Sequence, residues 1–377
     1  MKLKVALISD ELQVWGGAQY HLDVLSQLFP HAPIYTSVSE QDIRNRLPGR
    51  KIINTFIQHL PFERLLRKEW FLLYPLAFRS IDLKKYDVVI SISSAFSKMV
   101  KVTGKTKHIM ICLTPPRFLW MDTRNLKKSS RLTYWLYETF VRNLLHKYWK
   151  RMDKNAACSV DKIVSISKEI QSRVKEFYGR DSDVIYPPVE VNGITVNNDP
   201  RTRKNWFLYL GRVETYKGVD LVINACIKAN APLVVAGTGS GFEEMKDMVF
   251  KAKAGHLIRF TYNPTDEQKF KLLARCKALI FPVKDEDFGI VPVEANAAGT
   301  PVIAYRGGGV LETLSEDNPK TAVFFDEYSV DCLAEALSSF DINSFNPDNC
   351  RKQAEQFSRE IFEYKIKQLI ENVVRAS

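Results

Sequence analysis

Four charged side chains stand where a chain could do chemistry. Glu286 and Glu294 lie eight positions apart within Phe281–Val302, FPVKDEDFGIVPVEANAAGTPV. This stretch reads as the end of a buried strand, Ala278–Phe281, stopped by Pro282. An acidic loop follows, Lys284–Asp287, and then an Ala-rich helix that opens at Pro292 and ends at Gly299. On this reading Glu286 sits in the loop and Glu294 in the first helical turn, where the dipole favours its ionised form. Ionised carboxylates only accept hydrogen bonds, so a pair of them suits a polyhydroxyl ligand such as ribose or a hexose. Arg212 and Lys217 flank a second strand-to-helix turn, Gly211–Asp220, after the strand Trp206–Leu210. Fixed cations there stabilise a departing diphosphate more in the transition state than in the ground state. Arginine offers a planar fork and lysine a point charge. Strand end, loop and helix start together make a ligand site of the open α/β kind.

The remaining elements must position these groups. Lys4–Ile8 is a continuous apolar run and reads as a first, buried parallel strand. Trp15-Gly16-Gly17-Ala18-Gln19 leads into an amphipathic helix carrying Leu22, Val24, Leu25 and Leu28. Gly16 and Gly17 allow close backbone approach to a phosphate, although the spacing is not G-x-G-x-x-G. Leu233–Gly241 turns into the next helix, with Gly237 near a phosphate. Ile258–Pro264 is a strand and loop ending in Tyr262, Asn263 and Pro264, before a helix from Asp266 that carries Lys269. Asp87–Ile92 and His108–Leu113 are two further strand readings. The second runs into Thr114–Trp120, where Arg117 offers an anion contact. Val184–Val189 is stiff and extended because of its prolines, and Asn192–Lys204 is polar and loose. Cys350–Val374 reads as one closing helix with an apolar stripe from Phe357 to Val373.

Glu286-x7-Glu294, with Phe288-Gly289 inside it and Ala297–Val302 after it, resembles the signature of retaining glycosyltransferases of family 4. Gly211-Arg212 and Lys217-Gly218 resemble that family's donor-phosphate pair. The resemblance implies the GT-B architecture, an α/β fold of two Rossmann-like domains facing across a cleft, with a final helix crossing back to the first. It implies an acceptor-side domain over 1–185 joined by a helix from about 357, a linker at 186–200 and a donor-binding domain over 201–356. Arg212 and Lys217 would hold the diphosphate, and Glu294 the ribose. Glu286, with the backbone of Phe288, Gly289, Ile290 and Val291, would orient the sugar. Gly16 and Gly17 would face the diphosphate from the other domain, and Tyr262, Asn263 and Pro264 would lie near the base. Thr114–Trp120 resembles a segment of the family's O-antigen-type mannosyltransferases, in which a histidine stands where this chain has Leu113. His108 cannot replace it, since five residues at ~3.3 Å each place it ~16 Å away. Relatives also carry glycine where Tyr262 stands. Arg306–Glu312, with Gly307, Gly308 and Gly309, resembles another family loop in which glycines admit an anion.

Composition bounds the rest. The 377 residues exceed what one hydrophobic core usually serves, so two domains are expected. Six scattered cysteines form neither a disulfide frame nor a zinc pattern. No Asp-x-Asp stands in a metal-suited context, so no metal or other cofactor is expected beyond the nucleotide sugar as substrate. The N-terminal apolar run is too short for a signal peptide, and the longest run, Trp70–Phe78, cannot cross a bilayer, which needs ~20 residues. Residues 1–185 hold 31 Lys/Arg against 17 Asp/Glu, a net of +14, while the remainder nets −3. Two basic-aromatic stretches, Arg64–Phe71 and Arg131–Met152, carry part of that excess and suit an interfacial helix on anionic lipid. The same composition fits a stacking platform for single-stranded nucleic acid, or a helix half core and half solvated.

The expectation is a retaining, metal-independent hexosyltransferase. GDP-mannose is favoured over a UDP-sugar as donor, and a lipid-linked or polysaccharide hydroxyl is the acceptor. The expected place is the inner face of the cell membrane, reached from the cytoplasm, without nucleic acid as partner. An epimerase or hydrolase of the same fold, and a non-catalytic sugar-nucleotide binder, are the alternatives.

Overall fold

The computed structural model describes residues 3–61, 70–121 and 142–375. Two all-parallel sheets dominate it. The first contains β1 (Val5–Ser9), β2 (Ile34–Thr36), β3 (Ile52–Asn54), β4 (Val88–Ser93), β5 (Lys107–Cys112), β6 (Lys162–Ser165) and β7 (Asp183–Val184). The second contains β8 (Phe207–Leu210), β9 (Leu233–Gly237), β10 (Ile258–Tyr262), β11 (Leu279–Phe281), β12 (Val302–Tyr305) and β13 (Ala322–Phe325). Their spatial orders are β3-β2-β1-β4-β5-β6-β7 and β10-β9-β8-β11-β12-β13. The central strands are mostly apolar because helices cover both faces, and β1, β4 and β8 are buried at every position. These are two Rossmann-like α/β units. In each sheet the strand order reverses at one place, between β1 and β4 and between β8 and β11. Loops leaving neighbouring strands there turn to opposite faces and open a crevice beyond the carboxyl ends.

The compact units are Met1–Pro188 with Phe362–Ser377, and Val189–Ile361. The stretch read as a linker over 186–200 therefore divides at Pro188, and from Val189 onward it is part of the second unit. The closing helix is also interrupted. Pro347–Glu355 and Arg359–Arg375 are separate helices. Between them Ser358 pairs with Val189 as an isolated parallel bridge, and the Val189 amide donates to the Phe357 carbonyl at 3.0 Å. That extended pairing is incompatible with helical backbone at 357–358, which breaks the apolar stripe the sequence shows as continuous.

The first unit's core includes a histidine that no sequence pattern marks. His21, in the helix Gly17–Leu28, is 1% exposed and meets the Phe362 ring edge-on at 4.7 Å between centroids. Neither of its ring nitrogens has a hydrogen-bond partner among the described residues. Burial alone holds its pKa down to about 3, from the ordinary 6.5. His108 is likewise held at about 4 by burial, against the opposing pull of Asp161. The unfolded chain protonates these rings below pH 6.5 while the folded chain does not, so stability falls as pH drops through that window. Each pH unit is worth up to about 1.4 kcal/mol per histidine. Replacing the unpartnered ring by an apolar side chain removes both the polar burial cost and the proton uptake. The expected outcome for His21→Leu is a melting temperature at or above wild type at neutral pH, with a shallower decline below 6.5. Parallel melting curves across the acid range check this. An unchanged acid slope contradicts it.

Candidate functional site

The reversal between β8 and β11 brings together the loop after β8 and the loop after β11. Lys217 Nζ lies 2.9 Å from Glu286 Oε2, joining residues 69 positions apart. Arg212 and Lys217 both lie beside the Tyr216 ring, with the guanidinium carbon and the ammonium 5.9 and 5.7 Å from its centroid. Arg212 is exposed and Lys217 is half-buried against its carboxylate. The turn between them is fixed from below by Tyr209, whose hydroxyl donates to the Arg212 carbonyl at 2.8 Å. Two cations and a carboxylate thus occupy one strand edge, which is the arrangement needed to bind a phosphate beside a hydroxyl.

A second pair stands in the same unit. Lys269 Nζ lies 2.8 Å from Glu294 Oε1 and 3.4 Å from Asp266 Oδ1. Lys269 is presented by the helix Asp266–Arg275, which Thr265 and Gln268 close with a reciprocal capping box. Glu294 differs from the sequence expectation in two ways. The helix begins at Ile290, two residues before Pro292, with Gly289 at φ +94 as its N-cap, so Glu294 is its fifth residue and lies beyond the first turn. Burial pushes its pKa up, and the ammonium of Lys269 opposes that shift without overturning it. Environment outweighs the dipole here, because the dipole's influence fades past the first turn. Lys269 feels burial too, yet Glu294 beside it leaves its pKa raised.

Close backbone contacts hold these loops in place. Gly237 ends β9 at φ +152, and a Cβ there would lie 1.8 Å from the Gly211 carbonyl oxygen, so only glycine fits against the Arg212 turn. The glycine run 307–309 approaches the protein's own acidic loop. A Cβ on Gly308 would lie 2.5 Å from the Glu286 carbonyl oxygen, and the Gly309 amide donates to that oxygen at 2.8 Å. Phe288 is buried against Phe357, so only its backbone, with that of Gly289, Ile290 and Val291, remains for a ligand. Tyr262 is 67% exposed and touches Phe242 edge-on. Asn263 takes the left-handed conformation at φ 48 and donates its amide to the Gly237 carbonyl, which turns the chain at Pro264 toward the Lys269 helix.

The first unit holds the other expected groups. Gly16 is extended, with φ −165, and caps the helix that starts at Gly17. That backbone suits any residue, so what glycine contributes at 16 is open space. At the β1/β4 reversal lies a cavity of about 320 Å³ lined by Asp10, Glu11, Gln19, Tyr74, Phe96 and Leu113, among others. Leu113 does stand at the end of β5 opposite His108, which is buried and bonded to Ser91 Oγ at 2.8 Å. Arg117 opens the short helix Arg117–Trp120 and is not part of the cavity lining. Sequence reasoning passed over Asp10, whose carboxylate accepts the backbone N–H groups of Ser94, Ala95, Phe96 and Ser97 at 2.6–2.9 Å. An aspartate directly after the first buried strand was the available signal. Arg64–Glu69 and Arg131–Val141 of the basic-aromatic stretches lie outside the described residues. In the helix Arg142–Cys158, Trp149, Met152 and Ala156 are buried in the first unit's core, so this part has the half-core, half-solvated character of an ordinary surface helix.

Two arginines were also missed, in and beyond the segment read as loose. Arg203 donates to the carbonyls of Asn197, Ala274, Ala298 and Gly299 and to Thr300 Oγ1, at 2.6–3.2 Å. Arg351 donates to Val191, Ile194 and Ala297 carbonyls at 2.8–3.2 Å. The guanidiniums satisfy the carbonyls at the end of the Glu294 helix, where cations are favoured, and they tie 191–203 down. A polar composition alone does not reveal such a clamp.

The family model described as Glycosyl transferases group 1 matches residues 194–357, within the second unit. An uncharacterized glycosyltransferase of Methanocaldococcus jannaschii is 30% identical over 42% of this chain and 44% of its own length. The alpha-1,3/1,6-mannosyltransferase ALG2 of Homo sapiens is 30% identical over 36% of this chain and 38% of its own length. The chain spans less than half the length of these first curated relatives. Among solved structures, Anabaena Alr3699/HepE in complex with UDP and glucose superposes with a TM-score of 0.72 at 14% identity, covering 98% of this chain and all of the other. That likeness shows the fold, the pair of Rossmann-like domains of the GT-B expectation.

The arginine clamp yields a direct test. Arg203→Ala leaves several buried carbonyls without a donor, and the expected loss of stability is about 2–4 kcal/mol. Arg203→Lys recovers little of it, because an ammonium cannot reproduce the fork. Denaturant melts check both. An Arg203→Ala midpoint equal to wild type contradicts the clamp.

Proposed function

We propose that this chain is a retaining hexosyltransferase, and that its second unit binds a nucleoside diphosphate sugar. The observation that carries the reading is the convergence of Arg212, Lys217 and Glu286 at the β8/β11 reversal, with the Lys269–Glu294 pair in the same unit. Arg212 and Lys217 take the diphosphate. As the sugar–phosphate bond breaks, negative charge builds on the leaving oxygen, and these cations supply the counter-charge without a metal. Glu294 accepts from the ribose hydroxyls. Glu286, held by Lys217, accepts from a hydroxyl of the sugar and fixes its orientation against the Phe288–Val291 backbone. Tyr262, Asn263 and Pro264 lie toward the base. The acceptor is bound by the first unit, where the cavity at Leu113 is lined by the Gln19 amide and by aromatic faces suited to a saccharide. Retention follows the family's same-face attack assisted by the leaving phosphate.

GDP-mannose is the favoured donor, supported by the Thr114–Trp120 segment and by likeness to mannosyltransferases. The acceptor is a lipid-linked or polysaccharide hydroxyl, presented at the inner face of the cell membrane, where the basic first unit meets anionic lipid. No helix among the described residues is long and apolar enough to cross a membrane. A UDP-sugar donor is the second reading, favoured by the structural likeness to a protein solved with UDP and glucose.

A melting panel of nucleotide sugars tests the donor site. Ligand at a hundred times its dissociation constant raises stability by ~2.7 kcal/mol. The GDP compounds are expected to give the larger shift, Lys217→Met to lose most of it, and Glu294→Gln to weaken nucleosides that retain both ribose hydroxyls. If neither GDP nor UDP compounds shift the melt, the donor assignment is wrong. Turnover separates enzyme from sensor. Sugar transferred to an acceptor supports the transferase, whereas donor binding with neither transfer nor free-sugar release, unchanged in Leu113→His, identifies a non-catalytic binder.

A further inference from the structure

The first sheet carries a second concavity, larger than the Leu113 cavity and at the other end of the same strands. It measures about 700 Å³ and is walled by the segments that lead into β4 and β5. Lys84 and Lys85 stand just before β4, and Lys105 and Lys107 stand at the entry to β5. The parallel register sets Val88 opposite Lys107, and the Lys107 amide donates to the Asp87 carbonyl at 2.9 Å, so the two lysine pairs are neighbours. β5 spans six residues between this end and Leu113, a separation of ~20 Å at ~3.3 Å per residue. The concavity is therefore remote from the groups assigned to acceptor binding.

The nearby carboxylates are largely engaged by backbone. Asp87 accepts the Lys4 amide at 2.7 Å, Asp82 accepts the Lys84 amide at 3.2 Å, and Asp161 accepts the His108 amide at 2.8 Å. Lys107 has a loose contact with Asp161 at 3.5 Å. Among the described residues no carboxylate lies within ion-pair distance of Lys84, Lys85 or Lys105, and Lys85 rests over the Tyr86 ring at 5.4 Å. The exposed Thr103 and the turn at Gly104 complete a polar rim, while Leu3 and Val374 add apolar surface. Several ammonium groups around a concavity of this size match a phosphate ester with an organic body attached, because lysine binds phosphate as a mobile point charge. The site also gives a place to part of the +14 charge of residues 1–185 that the nucleotide site does not use.

We propose that the basin of Lys84, Lys85, Lys105 and Lys107 binds a phosphate-bearing anion, supplied as a phospholipid head group or a soluble phosphate ester. The readout is binding, so the proposal stands apart from the transferase reading. The full chain is prepared with Lys217→Met, which on the proposed function weakens pyrophosphate binding at the nucleotide site. It is then compared with the same chain carrying Lys84→Glu and Lys105→Glu, and with a charge-matched control carrying Lys246→Glu and Lys251→Glu in the second unit. Each is tested by flotation with phosphatidylcholine vesicles with and without phosphatidylglycerol, and by calorimetric titration with inorganic pyrophosphate. Equal melting temperatures establish that the exposed substitutions leave the fold intact. The expected result is a loss of about tenfold or more in affinity for the basin variant alone. Loss on anionic vesicles identifies a head-group site, and loss on pyrophosphate identifies a soluble-ester site. If neither probe binds, or if the basin variant binds as tightly as the control, the proposal is overturned.

Discussion

The structure depends on one constraint of parallel sheets: where the strand order reverses, adjacent loops part and open a crevice in which side chains from two distant segments can meet a ligand. The second unit places the Arg212–Lys217 turn and the Glu286 loop at that point. The charges are matched in advance. Glu286 has Lys217 and Glu294 has Lys269, each below 3 Å. A carboxylate buried as deeply as Glu294 would be costly to keep ionised without its lysine. The pairing therefore holds two hydrogen-bond acceptors in fixed orientations. Arg212, exposed over Tyr216, keeps its guanidinium available to solvent.

The loops carrying these groups are short of regular structure and would be mobile without support. The support is backbone against backbone. Gly237 lies on Gly211, Gly308 and Gly309 lie on Glu286, and the Arg203 and Arg351 guanidiniums gather the carbonyls beyond the Glu294 helix. Precision at the charged groups comes from the backbone packed behind them. The first unit follows the same logic, with the Asp10 carboxylate collecting four consecutive amides from the loop after β4.

Much of this was legible in the chain. Buried parallel strands announce themselves as predominantly apolar runs, and β1, β4, β5, β8 and β11 were read within a residue of their observed ends. Glu286 and Lys217 were identified as site groups, but their contact was not foreseeable, because pairing across 69 residues is a property of topology. The helix start at Ile290 was missed because Pro292 fits equally well at the third position, and a left-handed glycine cap needs no side-chain signal. The contact of the glycine run 307–309 with the Glu286 loop was not foreseeable, since sequence shows that backbone can approach closely but not what it approaches. Arg203 escaped for the opposite reason: a polar segment looks solvated until the carbonyls it must satisfy are seen.

The most direct test of the central claim is a crystal structure of the full chain with GDP or UDP bound. The account predicts the terminal phosphate within hydrogen-bond reach of both Lys217 and Arg212, and the two ribose hydroxyls on Glu294. A nucleotide seated elsewhere, with Lys217 still closed on Glu286 and Arg212 still lying over Tyr216, would contradict it.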